Sequence, residues 1–327
     1  MFRPIRQPDW WKGDSEFHPP AVTEPQSKLE SELRSGRFVI TTEVQPPLSA
    51  ATAILKEKIS LVRPYVTAIN FTDGSSAIPR MSSAACSAVA ASLGAEPVMQ
   101  ISARDNNRNS LQSQAIGANA LGVHNILCLS GDSPRVGPQP RGNLNIIDID
   151  SVQMLWILRR MRDEGIYLDG REIKNRPKLF LGAAASPFAQ DPAMQVIRNR
   201  KKINAGAQFL QTNLVFDPDS LDPWLELLDK EGLLDKVYIL VGISPLRTMN
   251  LALYLNNNIP GVGDQSPECR HENDSRVPGT GLPGREHSQS RLKPSRRLLG
   301  EKRGVSGVHI MPLGWEAAVP RILSYPC

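Results

Sequence analysis

The sequence predicts a single large (β/α)8 TIM barrel, and three observations lead to that fold class. Short apolar segments rich in β-formers alternate with helical segments from residue 38 onward. The strand candidates are apolar without interruption, which is typical of parallel strands that are buried on both faces. Polar side chains recur at the ends of these strands about every 30 residues, the length of one βα unit. At 327 residues and 40% apolar composition, the chain is long enough to bury such a core.

Eight segments are predicted to be strands, and seven of them are followed by a candidate helix. The strand candidates are FVITTEV, VTAINF, EPVMQISA, VHNILCLSG, KLFLGAAA, AQFLQTNLV, KVYILVGIS and GVHIMPL. The helix candidates are SAATAILKEKISLVRPY, SSAACSAVAASLG, SLQSQAIGANALG, SVQMLWILRRMRDEG, DPAMQVIRNRKKINAG, DSLDPWLELLDKEG and GWEAAVPRIL. Eight such units close most simply into a barrel with its site at the C-terminal rim. An open doubly wound sheet is the alternative, but TTEVQPP does not resemble the Gly-rich phosphate turn expected after its first strand.

Two regions stand apart from the alternating pattern. Residues 1–30 are rich in Pro and polar groups and are predicted to form an extended arm, with the barrel domain at 31–327. Between strands seven and eight, residues 264–303 form an anomalous polar segment, in which only six of 40 residues are apolar and four Pro and four Gly interrupt any helical period. Out-of-frame translation between two compensating frameshifts, or a sequencing error with the same effect, is the favoured explanation, and a genuine disordered insertion is the alternative. The alternative reading frames of the coding DNA decide between them.

Composition excludes several classes of protein. The net charge of +5 comes mostly from residues 265–303, which hold nine Lys or Arg against five Asp or Glu and contain no Phe, Trp or Tyr for base stacking, so no nucleic-acid partner is predicted. No run of 18 apolar residues is present, so no membrane span is predicted. The N-terminus lacks a secretory signal and the four cysteines form no CxxC pair, which favours a reducing, cytoplasmic setting. No metal site is predicted, because no His, Cys and Asp cluster has ligand spacing.

Three residues at or near the predicted rim are candidates for chemistry. Glu43 ends the first strand, where burial would raise the pKa of its carboxyl and suit it to general acid catalysis; pairing with a lysine is the alternative. Asp132 follows Gly131, and its negative charge could stabilise a developing cation; a turn in which Asp132 bonds its own backbone is the alternative. Lys202 could meet a phosphate, or it could lie on the solvated face of its helix.

Five motifs, found in the expected order, resemble a known family. They are TTEVQPP, ISARDNNRNSLQSQAIGANALGVHNILCLSGDSP, IDIDSVQML, KKINAGAQFLQTNLVFD and GVHIMPLGWEAAVPRIL. The sequence resembles methylenetetrahydrofolate reductase, in its bacterial and archaeal branch, over about residues 28–262 and 304–322. The resemblance implies a flavin-bearing barrel that reduces 5,10-methylenetetrahydrofolate to 5-methyltetrahydrofolate, with hydride from N5 of the reduced flavin.

The resemblance also implies roles for individual residues. Glu43 is the expected general acid that protonates N10, and Asp132 is expected to hold the pterin and favour the iminium ion. Asn213 stands where the family has a pterin-contacting Gln. Flavin contacts are expected at Asn70, Gln100, Ser130, Gly131, Asp148, Ala184 and Lys202. Asn70 and Gln100 replace a Thr and a His of other members, and the substrate-binding Arg that some members have after strand eight is missing from PLGW.

The implied cofactor is FAD, with FMN as the alternative, and the implied electron donor is NAD(P)H or a reduced iron–sulphur partner. The substrate is a folate, and a homo-oligomer or an electron-donating partner subunit is an open alternative to a lone chain. Two other functions are alternatives. One is a non-catalytic folate-binding barrel or an inactive subunit of a one-carbon complex, which the presence of both Glu43 and Asp132 disfavours. The other is a methyltransferase, for which cobalamin- or zinc-binding features are not seen.

Overall fold

Eight parallel strands form a closed barrel in chain order, and the last strand pairs with the first. The computed structural model describes residues 10–11, 13–139, 148–188, 191–258 and 299–323. The strands are β1 (Val39–Val44), β2 (Ala68–Phe71), β3 (Pro97–Ser102), β4 (Asn125–Leu129), β5 (Phe180–Ala185), β6 (Phe209–Leu214), β7 (Tyr238–Ile243) and β8 (Val305–Ile310). Each lies within or overlaps its predicted segment, and the predicted (β/α)8 fold is confirmed.

The helices alternate with the strands, as the sequence predicts, with two additions. They are α1 (Lys28–Arg34), α2 (Ala53–Val62), α3 (Ser83–Ser92), α4 (Arg108–Ala120), α5 (Ser151–Asp163), α6 (Pro192–Ala205), α7 (Asp222–Lys230), α8 (Met249–Asn258) and α9 (Ala318–Leu323). The sequence pattern predicts neither α1 nor α8. Helix α1 begins inside the segment that was expected to be an extended arm, because Ser27 supplies an N-cap that accepts the N–H of Glu30.

Side-chain caps fix where the helices next to the site begin. Asn107 accepts the N–H groups of Asn109 and Ser110 at the start of α4. Asp150 accepts those of Val152 and Gln153 at the start of α5. Each cap satisfies backbone donors that the first turn of a helix leaves without partners. The loops after β3 and β4 therefore enter their helices at defined points.

The interior of the barrel has an apolar lower layer near the N-terminal ends of the strands. This layer, together with Leu29 and Leu33 of α1, forms one buried cluster. Its strand members are Val39, Ala68, Val98, Leu127, Phe180, Phe209 and Leu240. The rings of Phe180 and Phe209 stack at 5.0 Å, and Gly182 leaves room for them, because a Cβ there would lie 2.2 Å from the Phe209 ring. Helix α1 thus closes the lower end of the barrel.

Most of the anomalous polar segment, residues 264–298, lies outside the described residues. Its last five residues are described and pack on the barrel. Leu299 is fully buried, Lys302 Nζ lies 2.6 Å from Asp222 Oδ1, and Arg303 pairs with Asp229 at 2.7 Å. Residues 299–303 of this segment are therefore part of the packed barrel, and the frameshift hypothesis stays a prediction. Among the described helices, none is long and apolar enough to cross a membrane.

Candidate active site

The predicted site residues are distributed around the C-terminal end of the barrel. Glu43, Gln100, Ala184 and Asn213 lie in the last three residues of β1, β3, β5 and β6. Asn70 is the penultimate residue of β2, and Ser130, Gly131 and Asp132 form the loop that follows β4. The carboxyl ends of parallel barrel strands meet at one rim, where catalytic residues of this fold class are found.

Glu43 is a titratable group of this rim whose pKa is strongly displaced. Its side chain is only 16% exposed, and burial together with the nearby Glu316 raises the pKa of its carboxyl to about 7. Among the described residues, no lysine pairs with it; Lys58 instead binds Glu316, at 2.7 Å. The rim-glutamate alternative, a Glu43–lysine pair, is therefore not what the structure shows. A carboxyl with a pKa near neutrality can both give and take a proton at working pH.

Beside Glu43 lies a buried polar network that sequence reasoning missed. His309 Nε2 is 4.0 Å from Glu43 Oε2, and Thr41 Oγ1 is 2.9 Å from His309 Nδ1. Gln211 Nε2 is 3.4 Å from the same Nδ1, and Asn70 Nδ2 donates to Gln211 Oε1 at 2.8 Å. Burial lowers the pKa of His309 to about 3, so its imidazole is neutral.

A sequence signal for this network does exist. Asn70, Gln211 and His309 are polar residues inside otherwise apolar strands, and Gln211 is two positions before Asn213, as Thr41 is two before Glu43. Side chains alternate between the two faces of a strand. Polar residues at this spacing therefore indicate a polar layer inside the barrel, directly below the rim.

The side chain of Asn70 is part of this network. Its side chain is fully buried and exchanges contacts with Gln211, at 2.8 and 3.4 Å. Gln100 is 7% exposed, and its backbone oxygen accepts the Ser83 hydroxyl at 2.6 Å. Both residues lie where the resemblance puts flavin contacts, but Asn70 sits in the interior layer below the rim.

Asp132 is exposed on the loop after β4. Its Oδ2 accepts the N–H of Ser76, in the loop after β2, at 2.7 Å. It therefore does not simply close its own turn, which was the alternative, but joins two neighbouring loops. Arg104 also connects these two loops, because its guanidinium donates to the backbone oxygens of Gly74 at 3.0 Å and Asp132 at 3.5 Å.

Gly131 is required by the packing of this loop. Its φ is +79°, and a Cβ at this position would lie 2.9 Å from the Cβ atoms of both Ser102 and Arg104. Only glycine adopts this backbone conformation without strain and at the same time fits that gap. The groups that pack closely against Gly131 are thus Ser102 and Arg104 of the protein itself.

Three other predicted cofactor contacts lie near the loops around β4 and β5. Lys202 Nζ donates to the backbone oxygen of Ala184 at 2.6 Å, and burial lowers the pKa of its ammonium. Ser130 Oγ lies 3.4 Å from the hydroxyl of Ser151. Lys202 therefore points at the end of β5 and is not on a solvated helix face, which was the alternative for it.

Asp148 and Asn213 have partners of their own. Asp148 accepts the backbone N–H of Arg108 and pairs with its guanidinium, both at 2.9 Å. Asn213 Nδ2 donates to Ser186 Oγ at 3.3 Å. The register of β6 against β7 shifts between Gln211 and Leu214, and this irregularity brackets Asn213.

Three hydroxyls at this rim lack hydrogen-bond partners among the described residues. Thr72 directly follows β2, Ser102 ends β3 and Ser244 directly follows β7, and the Oγ atoms of all three are buried. Buried polar atoms of this kind can be satisfied by ordered water or by a bound group. This donor set fits a polar heterocycle such as a flavin or a pterin. Over the described residues, no group of three His, Cys, Asp or Glu could hold a metal ion.

A cavity of about 620 Å³ lies at the opposite end of the barrel. It is lined by Phe17, Arg34, Gln208 and Tyr238, among others, which belong to the N-terminal arm, to α1 and to the starts of strands. None of the predicted site residues lines it.

Comparisons with known proteins identify the family and support the fold. The family model described as methylenetetrahydrofolate reductase matches residues 28–325. A Clostridium thermocellum protein of uncharacterised function, solved with two copies of 5-methyl-5,6,7,8-tetrahydrofolic acid, is similar at a TM-score of 0.59 and 16% identity, over 90% of this chain and 98% of that one. Riboflavin lyase, solved with modified FMN and riboflavin, has a TM-score of 0.53 and 11% identity, over 87% and 89% of the two chains. None of the curated proteins matches this sequence.

Proposed function

The chain belongs to the methylenetetrahydrofolate reductase family, and from this premise we propose that it catalyses flavin-dependent reduction of 5,10-methylenetetrahydrofolate to 5-methyltetrahydrofolate. The observation that carries the proposal is Glu43, a buried carboxyl at the C-terminal rim whose pKa is raised to about 7. A folate as ligand is further supported by the tetrahydrofolate bound to the Clostridium thermocellum protein.

Glu43 is proposed to act as the general acid. With a pKa of about 7, a large fraction of its carboxyl is protonated at neutral pH, which an ordinary glutamate would not be. Protonation of folate N10 by Glu43 breaks the bond from N10 to the one-carbon unit. The five-membered ring then opens to a cationic iminium, and Glu43 is left as a carboxylate.

Asp132 is proposed to stabilise that cation. Its carboxylate is exposed at the rim and is held in place by the Ser76 N–H, at 2.7 Å. A fixed negative charge beside a developing positive charge lowers the energy of the transition state. Asn213, held at 3.3 Å from Ser186, is proposed to hydrogen-bond the pterin.

The cofactor is proposed to be FAD, with FMN as the alternative. When bound and reduced, the flavin supplies the hydride. The residues proposed to hold it are Gln100, Ser130, Gly131, Asp148, Ala184 and Lys202, with Asn70 supporting them from below and the Thr72 and Ser244 hydroxyls as added donors. Lys202 is a half-buried cation suited to an anionic group of the cofactor. The electron donor is proposed to be NAD(P)H or a reduced iron–sulphur partner. A cytoplasmic location remains a prediction from the cysteines, of which Cys86 and Cys128 are buried free thiols.

A visible spectrum of the purified chain, followed by anaerobic reduction and addition of methylenetetrahydrofolate, tests the proposal. We expect a yellow protein whose reduced flavin is reoxidised by the folate. Glu43→Gln should lower the rate of that reoxidation by about 10²–10⁴-fold, the usual contribution of general acid catalysis, and leave flavin reduction largely intact. Glu226→Gln, an exposed glutamate on α7, is the matched control and should change neither rate.

Flavin-free, folate-inert protein that circular dichroism shows to be folded would contradict the proposal. Folate bound without turnover would instead identify a non-catalytic folate-binding barrel. Turnover that survives Glu43→Gln would mean that another group is the acid.

A further inference from the structure

We propose that His309 is a positioning residue for Glu43, aimed by an amide relay from Asn70 through Gln211 so that its Nε2–H faces the Glu43 carboxyl. This inference deepens the proposed function and rests on it for its role in catalysis. The geometry of the relay is independent of any substrate.

The relay determines which imidazole nitrogen carries the proton. Asn70 Nδ2 donates to Gln211 Oε1 at 2.8 Å, and Gln211 Nε2 lies 3.4 Å from both Asn70 Oδ1 and His309 Nδ1. An amide NH2 carries two hydrogens and only donates, so in the proposed relay one hydrogen goes to Asn70 Oδ1 and the other to His309 Nδ1, which accepts. In a neutral imidazole one nitrogen accepts and the other carries the proton, so the proton lies on Nε2. Thr41 Oγ1 has two acceptors for its one hydrogen, His309 Nδ1 at 2.9 Å and the Val308 carbonyl oxygen at 3.4 Å, and the relay assigns it to the nearer one, Nδ1.

The relay crosses the whole barrel interior. Its members come from β2, β6, β8 and β1, in the order Asn70, Gln211, His309 and Glu43. Asn70, Gln211 and His309 are 0%, 4% and 2% exposed. Buried polar side chains that are mutually satisfied are rigid and specify one arrangement. The direction of the Nε2–H is therefore fixed by three strands rather than by the His309 rotamer alone.

Neutral His309 differs from a cationic partner in its effect on Glu43. Burial keeps the imidazole uncharged, since it lowers the pKa of His309 to about 3. The charged group that acts on Glu43 is Glu316, from the loop after β8, and Lys58 of α2 pairs with Glu316 at 2.7 Å. His309 thus offers Glu43 a hydrogen-bond donor without a positive charge that would hold it permanently ionised.

The distance between His309 and Glu43 suits a residue that acts once Glu43 has lost its proton. At 4.0 Å, His309 Nε2 and Glu43 Oε2 are in contact but beyond hydrogen-bond range. Hydrogen bonds between catalytic groups are often long before substrate binds and tighten afterwards. Once Glu43 has given up its proton, the new carboxylate accepts the Nε2–H, and this stabilises the product of the proton transfer.

Two magnetic-resonance measurements on the full chain, both without flavin or folate turnover, test the relay. A ¹⁵N–¹H correlation spectrum assigns the His309 tautomer, and we expect the Nε2–H form. Titration of ¹³C-carboxyl-labelled glutamate, with Glu43→Gln for assignment, gives the Glu43 midpoint. His309→Leu should raise that midpoint by about one pH unit, since a donor to the ionised form is lost. His309→Gln, which keeps an amide donor, should restore most of the change.

The same change should appear in the pH dependence of folate reduction. In His309→Leu, the fall in rate at high pH should occur at a higher pH than in the unaltered chain. A merely structural role would lower the rate without moving the pH of this fall. An Nδ1–H tautomer in the unaltered chain would overturn the proposal even if no variant folds, and so would an unchanged Glu43 midpoint in folded His309→Leu. Failure of folate reduction with the expected tautomer and the expected midpoint in His309→Leu would instead reject the proposed function and leave the relay standing.

Discussion

The two ends of the barrel are built from different kinds of side chain. The lower end is filled by an apolar layer, closed by Leu29 and Leu33 of α1 and centred on the stacked rings of Phe180 and Phe209. The upper end holds Glu43 and His309, whose pKa values are both displaced by burial. Polar groups with displaced pKa values cost stability, and they persist where function needs them.

The size of a cavity does not distinguish these ends. The cavity of about 620 Å³ belongs to the lower end, where the charged side chains are paired with one another. Arg34 Nη2 lies 2.6 Å from Glu30 Oε1, and Gln208 Nε2 donates to the same oxygen at 3.2 Å. At the upper end, three buried hydroxyls have no partner among the described residues, and at the lower end Asn125 Oδ1, at the start of β4, has none. The displaced pKa values of Glu43 and His309, rather than enclosed volume, distinguish the upper end.

The largest effect on stability is expected at the lower end of the barrel. Phe209→Ala removes a fully buried ring from the apolar layer, and should lower the free energy of unfolding by about 3–5 kcal/mol. Chemical denaturation measures this loss, and the Glu43 titration midpoint should stay unchanged. Leu48→Ala, at a side chain that is 67% exposed, is the control and should cost no more than about 0.5 kcal/mol. A change of the Glu43 midpoint in Phe209→Ala would show that the two ends are coupled.

A pH-dependent effect is predicted at the upper end. The folded-state pKa of Glu43 is raised from 4.5 to about 7, so its contribution to stability is fully present below pH 4.5 and is lost as pH rises through 7. Glu43→Gln is uncharged at every pH and escapes this loss. The stability of Glu43→Gln relative to the unaltered chain should therefore rise by about 3 kcal/mol between pH 4.5 and pH 8, because a tenfold change in a proton-binding constant corresponds to about 1.36 kcal/mol. Chemical denaturation at several pH values measures this difference. If the free energies of unfolding of the two proteins differ by the same amount at every pH in that range, the raised pKa is contradicted.

The smallest predicted effect separates backbone strain from packing at the rim loop. Gly131 and Gly232 both have positive φ, at +79° and +61°, but only Gly131 has neighbours that a Cβ would meet. Gly232→Ala should cost about 1–2 kcal/mol, the strain of a left-handed residue. Gly131→Ala should cost about 1–3 kcal/mol more, because Ser102 and Arg104 must move. Chemical denaturation measures both losses of unfolding free energy. Equal losses in the two variants would mean that Ser102 and Arg104 move aside at no energetic cost.

Much of this arrangement could be predicted from sequence because it is local. Strand positions follow from apolar runs, and the placement of Glu43 and Asp132 at strand ends follows from the fold class. The α1 helix was missed because a single N-cap, Ser27, outweighs the Pro-rich surroundings of a seven-residue helix. Helix α8, MNLALYLNNN, was also missed; it ends in three Asn residues, five residues before the polar segment.

The rest depends on contacts between residues that are distant in the chain. The pairs Asn70–Gln211, Thr41–His309 and Lys58–Glu316 each join residues more than 100 positions apart. Neither their distance nor the resulting protonation states can be read from spacing along one strand. Arg104 shows the same limit, since its role in holding the loops after β2 and β4 depends on how those loops meet.

The pairing of β8 with β1 makes the last strand the closure of the whole barrel. Val39 pairs with Gly307, and Thr42 with Ile310, so no ring of strands exists until residue 310 has left the ribosome. A chain that stops earlier would expose the edges of β1 and β7, and open edges recruit other strands. Synthesis through residues 264–303 and into β8 therefore decides between a closed barrel and an aggregation-prone sheet, whatever the origin of that stretch.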